Sequence, residues 1–112
     1  RDHDFQPTFH KHQGQVCRGF QIHVVDHERY LPYLTTLAIL QDVVALHRSE
    51  FAWKQPPYEY VTDRLPIDVL TGDPAVREAV ESGTDLRKLA ASWRTEIRDF
   101  GKEIRSHLLY PE

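Results

Sequence analysis

The sequence predicts an α+β fold, a small antiparallel sheet formed by an N-terminal hairpin and packed with about three helices. Three observations predict it. The N-terminal stretch alternates apolar and polar residues with the period of a strand, the chain after Asp26 switches to helical spacing, and cap and stop residues divide that second part into separate helices. At 112 residues the chain reads as a single domain, large enough to hold a real core.

Phe5 to Asp26, FQPTFHKHQGQVCRGFQIHVVD, reads as two extended segments joined by a turn. In the second segment Phe20, Ile22 and Val24 face one way, with Gln21 and His23 on the other face. In the first, Thr8, His10 and His12 share one face of a strand, and Pro7, Phe9 and Lys11 share the other. Gly14 supplies a positive-φ position for the connection. Gly19, two positions before Gln21, is expected to leave room for a ligand or a partner domain. This hairpin is the expected functional face.

Beyond Asp26, Pro32 suits a first helical turn, and Tyr33 to His47 reads as a helix with apolar residues almost all round it. Such a helix is expected to lie centrally, between a sheet and other helices. Arg48 to Pro66 is a surface loop, because Pro56-Pro57 blocks a helix, with a short strand near Tyr58 to Val61. Phe51 and Trp53 are expected to pin that loop to the core, with stacking on a sugar ring as the alternative. Pro66 to Gly72 reads as a helical turn ended by its glycine, in which Asp68 caps a turn, pairs with Arg77 or binds a ligand. Asp73-Pro74 starts a helix that runs through Val80 or Glu81 and stops at Ser82-Gly83. Thr84 is expected to cap the last helix, whose apolar positions Leu86, Leu89, Ala90, Trp93, Ile97, Phe100 and Ile104 recur every three or four residues. Leu108-Leu109-Tyr110-Pro111 is too apolar for a free tail and is expected to dock back onto the domain.

Composition narrows the function. Hydrophobic residues make up 40% and charged residues 28%, which is ordinary for a globular domain and argues against disorder. Fourteen Lys and Arg against 17 Asp and Glu leave a net charge of -3, without the excess of positive charge that binding a phosphate backbone needs; nucleic acid is therefore not an expected partner. No segment approaches the roughly 20 apolar residues of a membrane span. A lone Cys17 can form no internal disulfide and reads as a small buried residue on a strand. The seven histidines permit a zinc site from His10, His12 and His23, yet no matching Cys or acidic cluster demands one, so no metal or cofactor is expected. Glu59, between Tyr58 and Tyr60, is the carboxylate whose aromatic neighbours would raise its pKa if they enclosed it.

The ordered set Phe5, Pro7, Thr8, Lys11, Gly14, Cys17, Gly19, Gln21-Ile22-His23-Val24 and Asp26 resembles the C-terminal part of the bacterial exo-β-N-acetylmuramidase family, the NamZ-type glycosidases. The resemblance continues through Phe51, Trp53, Pro57-Tyr58-Glu59, Pro66-Ile67-Asp68, Leu70, Gly72, Arg77, Trp93 and Leu108-Leu109-Tyr110, and so covers nearly the whole chain. It implies a glycoside hydrolase that releases terminal N-acetylmuramic acid from peptidoglycan fragments. It also implies a larger Rossmann-like domain upstream that carries the catalytic glutamate. The absence of methionine, even at position 1, fits the trailing part of such a protein. On this reading these residues carry no catalytic group and are inactive alone. A cell-wall role suits a secreted, periplasmic or cytoplasmic recycling enzyme alike.

N-acetylmuramic acid presents a carboxylate, an acetamido group and hydroxyls, so its cleft wants a cation and neutral hydrogen-bonding groups. Lys11, Gln21 and His23 are those types, with Lys11 converging only if the register of the first strand allows. The resemblance adds Tyr58 and Glu59 as cleft-lining residues, and docking of the C-terminus would bring up Tyr110. Two other classes stay open: a non-catalytic binding module whose Phe51 to Tyr60 loop docks a partner, and a metal-dependent hydrolase using the histidines.

Overall fold

The computed structural model describes residues 1–110, and the chain divides into two compact units, Arg1–Tyr30 and a second from Leu31 onward. The fold is α+β, as the patterning predicts.

The first unit holds a two-stranded antiparallel sheet, β1 (Asp2–Phe5) and β2 (Cys17–Phe20), with Asp2 opposite Phe20 and Phe5 opposite Cys17. The expected first strand through Thr8, His10 and His12 is instead part of the loop between them. His10 and His12 have φ of 61° and 60°, left-handed values that no strand contains. Gly14 does adopt the positive φ expected of it, at 74°. The loop closes on itself: the Gly14 amide donates to the Pro7 carbonyl at 3.0 Å, and the Gln6 side-chain amide donates to the Gly14 carbonyl at 2.7 Å. β2 stops at Phe20, so the alternation of residues 21–24 outruns the ladder. The Phe5 ring takes up the Cβ position of Gly19, since a Cβ there would meet it at 3.2 Å. Cys17 is half-exposed rather than buried.

The second unit is helical. α1 (Pro32–Leu46) starts on its proline and turns Leu37 and Val44 inward. It packs against two later helices, and Leu46 at its end is exposed, so only one stripe of its apolar surface is covered. α2 (Pro66–Thr71) ends at Gly72 with φ 79°, and α3 (Pro74–Ser82) begins with the Asp73 carboxylate accepting from the Ala75 amide at 2.9 Å. At the end of α3, Gly83 has φ 71° and the Thr84 amide donates to Ala79 O at 3.0 Å, a left-handed stop of the Schellman kind. α4 (Leu86–Glu103) is capped by Asp85 and not by Thr84, since Asp85 Oδ1 accepts from the Arg87 amide at 2.9 Å. Thr84 is spent on the preceding stop, where its hydroxyl meets Ser82 Oγ at 2.9 Å. A short 3₁₀ turn, Ile104–His107, follows.

The core is the meeting of Leu37 and Val44 with Val76 and Val80, where Leu37 and Val80 are each 2% exposed. Leu34, Leu40, Phe51, Trp53, Leu86, Leu89 and Trp93 pack round it. Burying side chains of this size contributes about 1.5–3 kcal/mol each. Gln41 ties α1 to the end of α3 by donating to the carbonyls of Ala79 (3.2 Å) and Thr84 (2.9 Å). Only the first half of α4 covers the core: Ile97 and Phe100 are exposed, the latter at 61%. The C-terminus does not dock back, with Leu109 exposed and Tyr110 82% exposed; Pro111 lies outside the described residues. No helix among the described residues is long and apolar enough to cross a membrane.

Candidate functional site

Just past β2 the backbone stays paired for one more residue, the Gln21 amide donating to the Arg1 carbonyl at 2.8 Å. This fixes Gln21 beside Arg1, whose guanidinium lies 3.3 Å from Gln21 Oε1. The same oxygen is 3.0 Å from His23 Nε2, at the i, i+2 spacing read from the sequence. A guanidinium only donates, so the amide must turn its oxygen toward Arg1, and His23 must then be the Nε2–H tautomer. The arrangement leaves Nδ1 of His23 as an acceptor and the Gln21 NH₂ as a donor, both on exposed residues. A neighbouring hydroxyl or acetamido group is what such a pair can bind.

The structure does not bring Lys11 to this pair. Lys11 is exposed in the 6–16 loop between the two left-handed histidines, and Arg1 is the cation beside Gln21. An open depression of about 640 Å³ runs along the strand pair, lined by Asp2, His3, Asp4, Arg18 and Gly19, and it includes neither Gln21 nor His23. The histidines proposed as ligands are occupied separately: His10 stands edge-on to Phe9 at 5.0 Å, and His12 Nδ1 is 3.4 Å from Gln15 Oε1. Among the described residues no group of three or more His, Cys, Asp or Glu side chains could hold a metal ion.

In the helical unit, Tyr58 and Val61 exchange backbone hydrogen bonds at 2.9 Å each way, a two-residue turn with Glu59 at φ 51°. Tyr58 is half-buried, with Lys54 Nζ 5.6 Å from its ring centre, whereas Tyr60 is 99% exposed and Glu59 is exposed too. The expected aromatic enclosure of Glu59 therefore does not form, because the turn throws its tip into solvent. Tyr110 is exposed as well.

Trp53 anchors its loop, as the commoner of the two expectations held. Its indole N–H donates to Glu81 at 2.7 Å, and its ring stands perpendicular to Phe51 at 4.8 Å. Glu81 also accepts from Arg77 at 3.2 Å, and Arg77 Nε donates to the buried Asp68 at 2.8 Å. Asp68 thus pairs with Arg77 and does not cap a turn. That hydrogen bond is the main reason the guanidinium pKa stands above its ordinary value, with burial opposing it and Glu81 reinforcing it. The chain Asp68–Arg77–Glu81–Trp53 joins α2, α3 and the loop, and its role is structural.

Sequence reasoning missed a groove of about 460 Å³ in the helical unit. Tyr33 of α1 and Trp93 of α4 meet there at 5.5 Å and 54°, with Thr71, Asp73, Glu96 and Ile97 around them. Burial, and secondarily the Asp73 charge, pushes the Tyr33 phenol above its usual pKa.

Residues 1–110 match the family model described as exo-beta-N-acetylmuramidase NamZ, C-terminal, and the chain belongs to that family. The peptidoglycan beta-N-acetylmuramidase NamZ of Bacillus subtilis (strain 168) is 28% identical over 106 residues, which are 95% of this chain and 24% of that protein. The chain thus spans about a quarter of the curated relative it matches. No solved structure matches it.

Proposed function

We propose that this chain lines the substrate cleft of a peptidoglycan exo-glycosidase that releases terminal N-acetylmuramic acid, the cleft being completed by an upstream Rossmann-like domain. Family membership supports the reaction class, and the Arg1–Gln21–His23 arrangement carries the reading. Gln21 and His23 present one donor and one acceptor to the acetamido and hydroxyl groups of the sugar. Glycoside cleavage needs a carboxylic acid at the leaving oxygen and a second group at the anomeric carbon, and on this reading both come from the upstream domain.

The test is His23→Ala in the full-length enzyme. The expected result is a fall in kcat/KM of at least about tenfold, carried mainly by KM, as loss of a ground-state hydrogen bond requires. An unchanged kcat/KM would mean that the pair merely holds the strand end together. The 112-residue chain alone is expected to turn over no muramoyl substrate.

A further inference from the structure

The strand pattern that follows β2 has no partner. Gln21 and Arg1 exchange both backbone hydrogen bonds, the Gln21 amide donating to the Arg1 carbonyl at 2.8 Å and the Arg1 nitrogen donating to the Gln21 carbonyl at 3.1 Å, so they form a hydrogen-bonded pair of the ladder that sets Asp2 opposite Phe20. Beyond that pair the second segment keeps its period. The His23 ring reaches Gln21 Oε1 at 3.0 Å, as side chains two apart on one face of an extended backbone do. Phe20 and Ile22 alternate with them, 58% and 50% exposed, and no glycine or proline interrupts Gln21 to Val25. Among the described residues no backbone hydrogen bond engages Ile22, His23 or Val24. An open edge with apolar alternation is a template for another strand.

We propose that the segment of the full-length protein preceding Arg1 is that strand: it extends β1 and pairs antiparallel with Ile22 to Val24. The residue before Arg1 then stands opposite Ile22, and the one before it exchanges backbone hydrogen bonds with His23, because such pairs alternate along an antiparallel ladder. Covalent continuity selects this occupant. Arg1 already lies opposite Gln21, so direction and register are set and no loop has to be closed, whereas a strand from a second copy would lose the freedom of a whole molecule. A protein of the relative's size has the chain to supply it, since the matched residues are 24% of that protein and the family model is its C-terminal part. The consequence falls on His23. Its backbone becomes part of a ladder, so the upstream chain positions the imidazole. The inference rests on the part of the reading above that places chain upstream, and not on the sugar or the reaction.

Two measurements on the full-length protein test this. In a Cys17→Ser background, a cysteine at the residue before Arg1 together with Ile22→Cys is expected to close an intramolecular disulfide under mild oxidation, since a non-hydrogen-bonded antiparallel pair lies within the span a disulfide bridges. The same upstream cysteine with Val24→Cys, two positions off register, is expected to close at least about tenfold more slowly. Without any substitution, hydrogen exchange corrected for intrinsic rates is expected to be at least about tenfold slower at the His23 amide than at the Ile22 amide, which the ladder aims at the opposite edge. No closure, equal closure at the two positions, disulfides that link two copies, or equal exchange at Ile22 and His23 would each overturn the proposal. The exchange measurement stands even where a cysteine variant fails to fold. A protected His23 amide alongside an unchanged kcat/KM in His23→Ala would sink the cleft reading and leave the strand in place.

Discussion

The two units of this molecule solve the same problem unequally. The helical unit surrounds a closed set of aliphatic side chains and ties its elements with a buried ion pair. The strand unit has no buried residue at all: Phe5, Phe9, Phe20 and Ile22 are exposed, and its order rests on a short ladder and on bonds within one loop. An isolated pair of strands is marginal in water. Stability is concentrated in one unit, then, while the exposed hydrogen-bonding pair that carries the cleft reading sits in the other.

That contrast can be broken or sharpened by measurement. Leu37→Ala should cost the most, about 2–5 kcal/mol in denaturant unfolding, because it leaves a cavity where four helical side chains converge. Arg77→Met should follow at about 2–4 kcal/mol, since it strands Asp68 without its cation; adding Asp68→Asn should restore part of the loss in a double-mutant cycle. Gly83→Ala should cost about 1 kcal/mol by forcing a side chain into a left-handed stop where nothing crowds it. Phe20→Ala should cost less than about 1 kcal/mol, its ring being more than half exposed, and a larger loss would mean that the ring packs more closely than that exposure implies. The smallest effect is confined to alkali. Tyr33 titrates higher folded than unfolded, so its contribution is complete below pH 10 and is lost as pH rises from there through the folded value; Tyr33→Phe should flatten that limb of a stability–pH curve.

Much of this was legible in the chain because the signals were local. Asp73-Pro74 and Gly83 mark both ends of α3, Gly72 ends α2, and Pro32 opens α1, each through the conformational demands of one residue. The Gln21–His23 contact followed from a spacing of two. What failed was inference from polar alternation: Thr8, His10 and His12 fit a strand period, but Phe9 is the one apolar side chain between Thr8 and Gln15, too little for a strand face to bury, and left-handed turns won. The apolar spacing of α4 was read correctly, yet periodicity says which residues share a face and not whether anything covers it. The Tyr33–Trp93 groove left no trace in the sequence, since its aromatics are 60 positions apart and meet only through the packing of α1 on α4.

The outer half of α4 carries a practical consequence. Ile97 and Phe100, three positions apart on α4, form a sticky ridge in open solvent, and Leu109 is exposed too. Concentrated samples should drift toward self-association, visible as a sedimentation coefficient that climbs with loading, and a mild non-ionic detergent should reverse the drift. Ligand titrations are therefore best run dilute.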